Sequence, residues 1–202
     1  MTKYVLNSGG VTSSPDKAKK FFSEVVRDLG EKPKILLCFF AIPREDWEEK
    51  FAKDVQELPQ YFSQNIKPEF TLAFPDNFVE QIKNTDAIYI HGGDDQLVMY
   101  WLKKFDIPKI WEDKVIATNS ASSHALSTYF WTCDWRQCMD GLGILSIKFL
   151  AHFHSDYGSL DPRGQINWED AKEALENYKD KTLSLYALEE GDFIVKKYQY
   201  SS

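Results

Sequence analysis

Val115-Ile116-Ala117-Thr118 is a short apolar run that turns at Asn119-Ser120 into Ala121-Ser122-Ser123, a change from strand to helix character within two residues. A serine at such a turn is a nucleophile elbow: the tight bend lifts its hydroxyl above the sheet, at the N-terminus of a helix. The N–H of the next residue, Ala121, then faces the oxyanion that forms when the hydroxyl attacks a carbonyl. Gly92-Gly93, which follows the apolar run Ala87–Ile90, can present a second N–H from Gly93, because glycine lets backbone approach a substrate closely. Ala151-His152-Phe153-His154 ends another apolar run and offers an imidazole as base. Plainer readings stand beside these. A serine in Ser-Ala-Ser-Ser is an ordinary helix N-cap, and a histidine beside an apolar strand is an ordinary hydrogen-bonded core residue. His152, His154 and Asp156 can share a face as metal ligands, but three donors so close together, without cysteine or a second histidine pair, make a poor zinc signature. Neither metal nor cofactor is expected. Asp94-Asp95 is read more simply as a helix cap with a favourable dipole interaction than as a cation site.

These segments need a scaffold that gathers strand ends, and the periodicities supply one. Lys3–Leu6, Lys34–Phe40, Glu69–Phe74, Ala87–Ile90 and Val115–Thr118 are strand candidates. The second, fourth and fifth lack polar alternation, which predicts adjacent parallel strands buried on both faces. Helical spacing joins Phe21, Phe22, Val25, Val26 and Leu29, after Ser14-Pro15 as cap and first turn, then Trp47, Phe51, Val55 and Leu58. Phe78, Val79 and Ile82 mark a third helix and Leu97, Val98, Trp101, Leu102 and Phe105 a fourth, with Ala121–Phe130 as the helix behind the elbow. Asn167 and Asp170 are placed as a capping pair for a helix to Tyr178. Thr182–Leu188 and Phe193–Tyr200, joined by Glu189-Glu190-Gly191-Asp192, read as a closing β-hairpin. The alternation predicts an α/β fold, a mostly parallel sheet with helices on both faces, in one domain over residues 1–202. Ligands bind such sheets outside the carboxyl ends of the strands, where Gly93, Ser120 and His152 all fall.

The order and spacing of these motifs resemble a known family. Residues 115–126 look like the Gly-x-Ser-Ala-Gly-Ala elbow of the peptidase E and cyanophycinase serine peptidases, and Tyr89–Gln96 looks like their strand ending in Gly-Gly-Asn-Thr. Gly141-Leu142-Gly143 followed by Ala151-His152-Phe153 is similar to their Gly-Leu-Gly and Pro-His-Phe segments, and Ala187–Ile194 to their Leu-Pro-Glu-Gly hairpin. The resemblance implies a three-layer, class I glutamine amidotransferase-like (flavodoxin-like) fold with a C-terminal β-hairpin. It implies a serine-type hydrolase that cleaves a peptide or small amide through an acyl-enzyme. Ser120 would be nucleophile, His152 general base, and Gly93 and Ala121 the oxyanion hole. Asp134 would orient the imidazole, with Asp140 as runner-up and Glu190 a candidate by analogy with the cyanophycinases. Asp94 and Arg163 would face substrate, Arg163 filling the first place of an arginine pair whose second place is Ile166. The sequence departs from the family at Thr118 and Ser122, where the elbow has glycine, at Ser123 and at Asp94. Those changes define the alternative, a non-catalytic binding module of the same fold with a decayed site.

Composition narrows the partners. The chain has 202 residues, 24 basic and 31 acidic, for a net charge of −7, which opposes the basic footprint of a nucleic-acid binder. Hydrophobic residues at 43% support a packed core, while the longest apolar run, Ile35 to Ile42, is too short to span a bilayer. A peptide or small-molecule substrate, no nucleic acid and no membrane are therefore expected; nothing fixes the oligomeric state. No signal segment is read at Met1–Gly10, and three cysteines (Cys38, Cys133, Cys138) are an odd count for a disulfide framework, so the expected compartment is the cytoplasm.

Overall fold

The computed structural model describes residues 1–200, and among these, ten strands form two sheets. β1 (Thr2–Asn7), β5 (Val115–Asn119), β4 (Ala87–Ile90), β2 (Lys34–Cys38) and β3 (Glu69–Leu72) lie parallel in that order. β10 (Phe193–Tyr198) closes the β1 edge antiparallel. β2, β4 and β5 are adjacent and parallel, as their unbroken apolar runs require, and β4 is buried along its whole length. α1 (Pro15–Val25), α2 (Trp47–Glu57), α3 (Phe78–Lys83) and α4 (Asp95–Leu102) cover the faces of this α/β sheet. Pro15 opens α1 with its φ already helical, while Ser14 makes no side-chain cap bond. Asp94 does cap α4, accepting the Leu97 N–H at 2.7 Å.

The second sheet runs β7 (Gln137–Asp140), β6 (Ser127–Thr132), β8 (Leu145–Leu150), β9 (Ser184–Ala187), with α5 (Ala121–Leu126) and α6 (Trp168–Asn177) against it. Two expectations change here. The helix behind the elbow ends at Leu126 instead of Phe130. Ser127–Thr132 is rich in β-branched and aromatic side chains and enters β6 directly. The Ser127 hydroxyl donates to the His124 carbonyl at 2.7 Å, and Gly141 presses so close that a Cβ there would lie 2.2 Å from the Ser127 carbonyl oxygen.

The second correction concerns the C-terminal hairpin. β9 pairs with β8 and β10 with β1, so the two strands part into different sheets and the Glu189–Asp192 turn bridges them. An acidic, glycine-containing turn reads the same whether its strands pair or diverge; the choice belongs to the neighbours, β8 and β1. One apolar cluster, including Tyr4, Phe21, Phe40, Trp47, Ile116, Phe130 and Phe149, runs through both sheets. Lys148 is fully buried in β8, yet its ammonium donates to the carbonyls of Leu175, Glu176 and Tyr178 at 2.7–2.9 Å. It thereby serves carbonyls at the C-terminal end of α6, where a cation is favourable. Among the described residues, no helix is long and apolar enough to cross a membrane.

Candidate active site

β5 ends at Asn119 and α5 begins at Ala121, so Ser120 alone makes the turn, with φ +51° and ψ −110°. A non-glycine residue there is strained, and such strain persists only where the surroundings fix it. The fixing groups are hydroxyls. Ser123 Oγ donates to the Asn7 carbonyl at 2.8 Å, so the 2.8 Å contact between Thr118 Oγ1 and Ser123 Oγ takes its proton from Thr118. Ser122 Oγ donates to the Ile90 carbonyl at 2.7 Å and accepts the Asn119 N–H at 2.8 Å. Thr118, Ser122 and Ser123 are fully buried, and their hydroxyls tie β1, β4, β5 and α5 together at the elbow. The three departures from the glycine-rich motif are thus bonded in place, each bond contributing about 1 kcal/mol net.

Ser120 Oγ lies 2.8 Å from His152 Nε2, and His152 Nδ1 lies 2.9 Å from Glu190 Oε1. A carboxylate on Nδ1 leaves that nitrogen carrying the proton, so Nε2 accepts from the Ser120 hydroxyl. His152 stands just past β8, with φ +57° and its N–H donating to Ser8 Oγ at 2.8 Å; the Ser8 hydroxyl donates in turn to the Leu188 carbonyl at 2.6 Å. The ring rests on Gly9, where a Cβ would fall 2.2 Å from His152 Cε1, and Tyr157 packs on it with ring centroids 4.4 Å apart. Burial holds the imidazole below its ordinary pKa, against the opposing pull of the Glu190 carboxylate. Glu190 is held by its turn. Gly191 N–H donates to the Gly9 carbonyl at 2.7 Å, and Lys17 reaches the Glu190 carbonyl at 2.8 Å and the Asp192 carboxylate at 2.9 Å.

Asp134, the sequence's first choice for orienting the histidine, lies elsewhere in the same crevice. It accepts from the Tyr157 hydroxyl at 2.9 Å, and its carbonyl accepts from Arg163 at 2.7 Å. Asp140, the runner-up, accepts from Tyr178 at 3.2 Å and pairs with Lys179. The carboxylate the fold brings to Nδ1 is Glu190. Its signal in the sequence was weak because a turn of two glutamates, glycine and aspartate reads as solvent-exposed polarity. Asp94 is engaged as the α4 cap, and the Arg163 guanidinium is taken up by Asp161 and the Asp134 carbonyl, so neither side chain is brought to Ser120. His154 turns away to Glu169, at 2.9 Å, and does not converge with His152.

Gly93 lines the crevice beside Ser120, with φ +148° and room for no side chain, because a Cβ would lie 2.2 Å from the Ala41 carbonyl oxygen. Ala121 opens α5, so its N–H has no acceptor within the helix. A second histidine, overlooked in the sequence, braces this pocket. His124 Nε2 accepts the Ala151 N–H at 3.3 Å, so Nδ1 carries the proton that meets Asp95 at 2.9 Å. Both side chains are buried, and the pair holds the backbone one residue before His152. The crevice bounded by Gly93, Ser120, His152, Asp134 and Tyr157 has a volume of about 10 Å³. That is room for about one water.

The α/β fold as a whole is similar to that of solved structures. One is a crystal structure of a peptidase from an acI-B1 actinobacterium: 20% identity, TM-score 0.67, covering 98% of this chain and 84% of that one. Another is a candidate peptidase E protein from Listeria monocytogenes EGD-e: 14% identity, TM-score 0.59, covering 98% of this chain and 100% of that one. At these identities the likeness establishes a common fold. No protein-family model matches the sequence, and neither does any curated protein.

Proposed function

We propose that the protein is a serine-type hydrolase, similar to peptidase E, that cleaves a peptide or small amide through an acyl-enzyme. The observation that carries this reading is the continuous chain Ser120 Oγ–His152 Nε2, His152 Nδ1–Glu190 Oε1, at 2.8 and 2.9 Å, on a strained elbow. His152 takes the Ser120 proton as Oγ bonds to the substrate carbonyl carbon, and the Gly93 and Ala121 N–H groups receive the oxyanion. The imidazolium, stabilised by Glu190, returns the proton to the leaving amine; water then attacks the acyl-enzyme by the same route. Asp134 takes a different part from the one its position in the sequence suggested, anchoring Tyr157 over the imidazole. The shared fold with known peptidases supports the assignment, and the free thiols of Cys38, Cys133 and Cys138 fit action in the cytoplasm. A second reading, a binding module without catalysis, is favoured by the narrowness of the crevice, whose volume is about 10 Å³. Labelling with a fluorophosphonate and mapping of the modified residue separates the two. A single adduct on Ser120, lost in Ser120→Ala, supports the hydrolase; an unlabelled chain that cleaves no peptide supports the binding module.

A further inference from the structure

On the other side of the elbow lies a much larger cavity, about 320 Å³, between the end of α2 and the loops after β1, β2 and β4. Gly92 and Asn119, the chain neighbours of Gly93 and Ser120, line it, while Gly93 and Ser120 line the smaller crevice. Among the described residues, four buried side-chain polar atoms lack a hydrogen-bond partner, and three of them line this one cavity: Asp54 Oδ2, His91 Nε2 and Asn119 Oδ1. Asp54 Oδ2 and His91 Nε2 face each other at 3.0 Å but without hydrogen-bond alignment, and the His91 ring is fixed between Phe39 and Tyr89, each with its centroid 4.3 Å away. Native interiors leave few such atoms unsatisfied, so a cluster of three at one cavity asks for a ligand that completes it.

The missing chemistry is donor chemistry. Two of the three atoms are oxygens that only accept, and one belongs to a carboxylate whose side chain is 16% exposed. Phe39, Ile42 and Leu58 give the same cavity an apolar wall suited to a methylene stem. An acidic group would instead set a second carboxylate against Asp54 in a partly desolvated space. Lys50 and Lys53 stand at the exposed rim, where water and salt screen them, and Lys53 lies 3.9 Å from Glu57.

We propose that this cavity is the substrate's side-chain pocket and takes a basic residue of the lysine type. Its stem packs on Phe39, Ile42 and Leu58, its ammonium group binds Asp54, and Asn119 Oδ1 accepts an N–H of the substrate backbone. The assignment rests on the hydrolase reading for its term "substrate", and its test is built to fail separately. Binding of N-acetyl-lysine methylamide, N-acetyl-norleucine methylamide and N-acetyl-glutamate methylamide is measured by calorimetry on the wild-type chain and on Ser120→Ala, which prevents turnover. The lysine probe is expected to bind at least about tenfold more tightly than norleucine, the scale of one charge-assisted hydrogen bond. Asp54→Asn should erase that preference, and Asp54→Lys should turn it toward the glutamate probe, with circular dichroism showing both variants folded. Equal binding of lysine and norleucine probes by the wild-type chain, a preference for glutamate, or a lysine preference that survives in folded Asp54→Asn would overturn the pocket assignment. Selective lysine binding by a chain whose Ser120 takes no fluorophosphonate would leave the pocket standing and remove the hydrolase. Labelling of Ser120 without selectivity would do the reverse.

Discussion

On the His152 side of Ser120, polar side chains answer one another: serine to imidazole, imidazole to Glu190, Asp134 to Tyr157, His124 to Asp95. The space left there is about 10 Å³. On the His91 side the space is about 320 Å³, and Asp54, His91 and Asn119 each hold an atom without an aligned hydrogen-bond partner. The first region is organised before any ligand arrives, as a proton-transfer chain must be, because reorganisation during the reaction would raise the barrier. The second leaves its groups unsatisfied, which suits recognition, since a site that desolvates its polar atoms in advance discriminates against ligands that cannot pair them. On the proposed reading, preorganisation on one flank and unmet hydrogen-bonding capacity on the other would divide chemistry from specificity across a single residue.

The contrast can be broken most completely at Ser120 itself. Ser120→Ala should abolish fluorophosphonate labelling and lower any peptide hydrolysis by about 10⁴-fold or more, the scale on which nucleophile removal acts. Thermal denaturation should change little, because the side chain is only part-buried. Next in size is the acidic partner. Glu190→Gln should slow labelling by about 10²- to 10⁴-fold through loss of the tautomer and of imidazolium stabilisation. Asp134→Asn, which touches Tyr157 and not the imidazole, should change it only a few-fold; a reversal of that order would return the role to Asp134. Gly9→Ala should cost about 10²-fold in labelling rate, since its Cβ would fall 2.2 Å from His152 Cε1 and displace the ring.

Smaller effects sharpen the comparison. Labelling needs the neutral imidazole and so fails as pH falls through the His152 pKa. Burial lowers that pKa, so the acid limb of the rate profile should lie below the ordinary histidine value of about 6.5. Glu190→Gln removes a partner that raises the pKa and should move the limb lower still. Finally, Thr118→Val deletes a buried hydroxyl bonded to Ser123 and should reduce unfolding free energy by about 1–2 kcal/mol in urea titrations. Equal or greater stability in that variant would mean that the hydroxyl network does not brace the elbow.

Much of the scaffold was legible from one dimension because its signals are local. Unbroken apolar runs in Lys34–Cys38, Ala87–Ile90 and Val115–Thr118 mark doubly covered strands wherever they sit, and Pro15 and Asp94 punctuate helices by their own chemistry. The strand-to-helix change at residues 118–121 likewise marked Ser120 as the residue at the turn. What the sequence could not decide was partnership between distant segments. Glu190 meets His152 only because β9 joins β8 while β10 joins β1, a pairing set by strands distant in sequence and not by the turn between them. Asp134, closer in sequence to the elbow, is drawn to Tyr157 instead. The same holds for Ser122 and Ser123, which look intrusive beside a glycine-rich motif until Ile90 and Asn7 supply acceptors from other strands. Residue type fixes what a group can donate, accept or bury; only the packed chain decides which group stands 2.9 Å away.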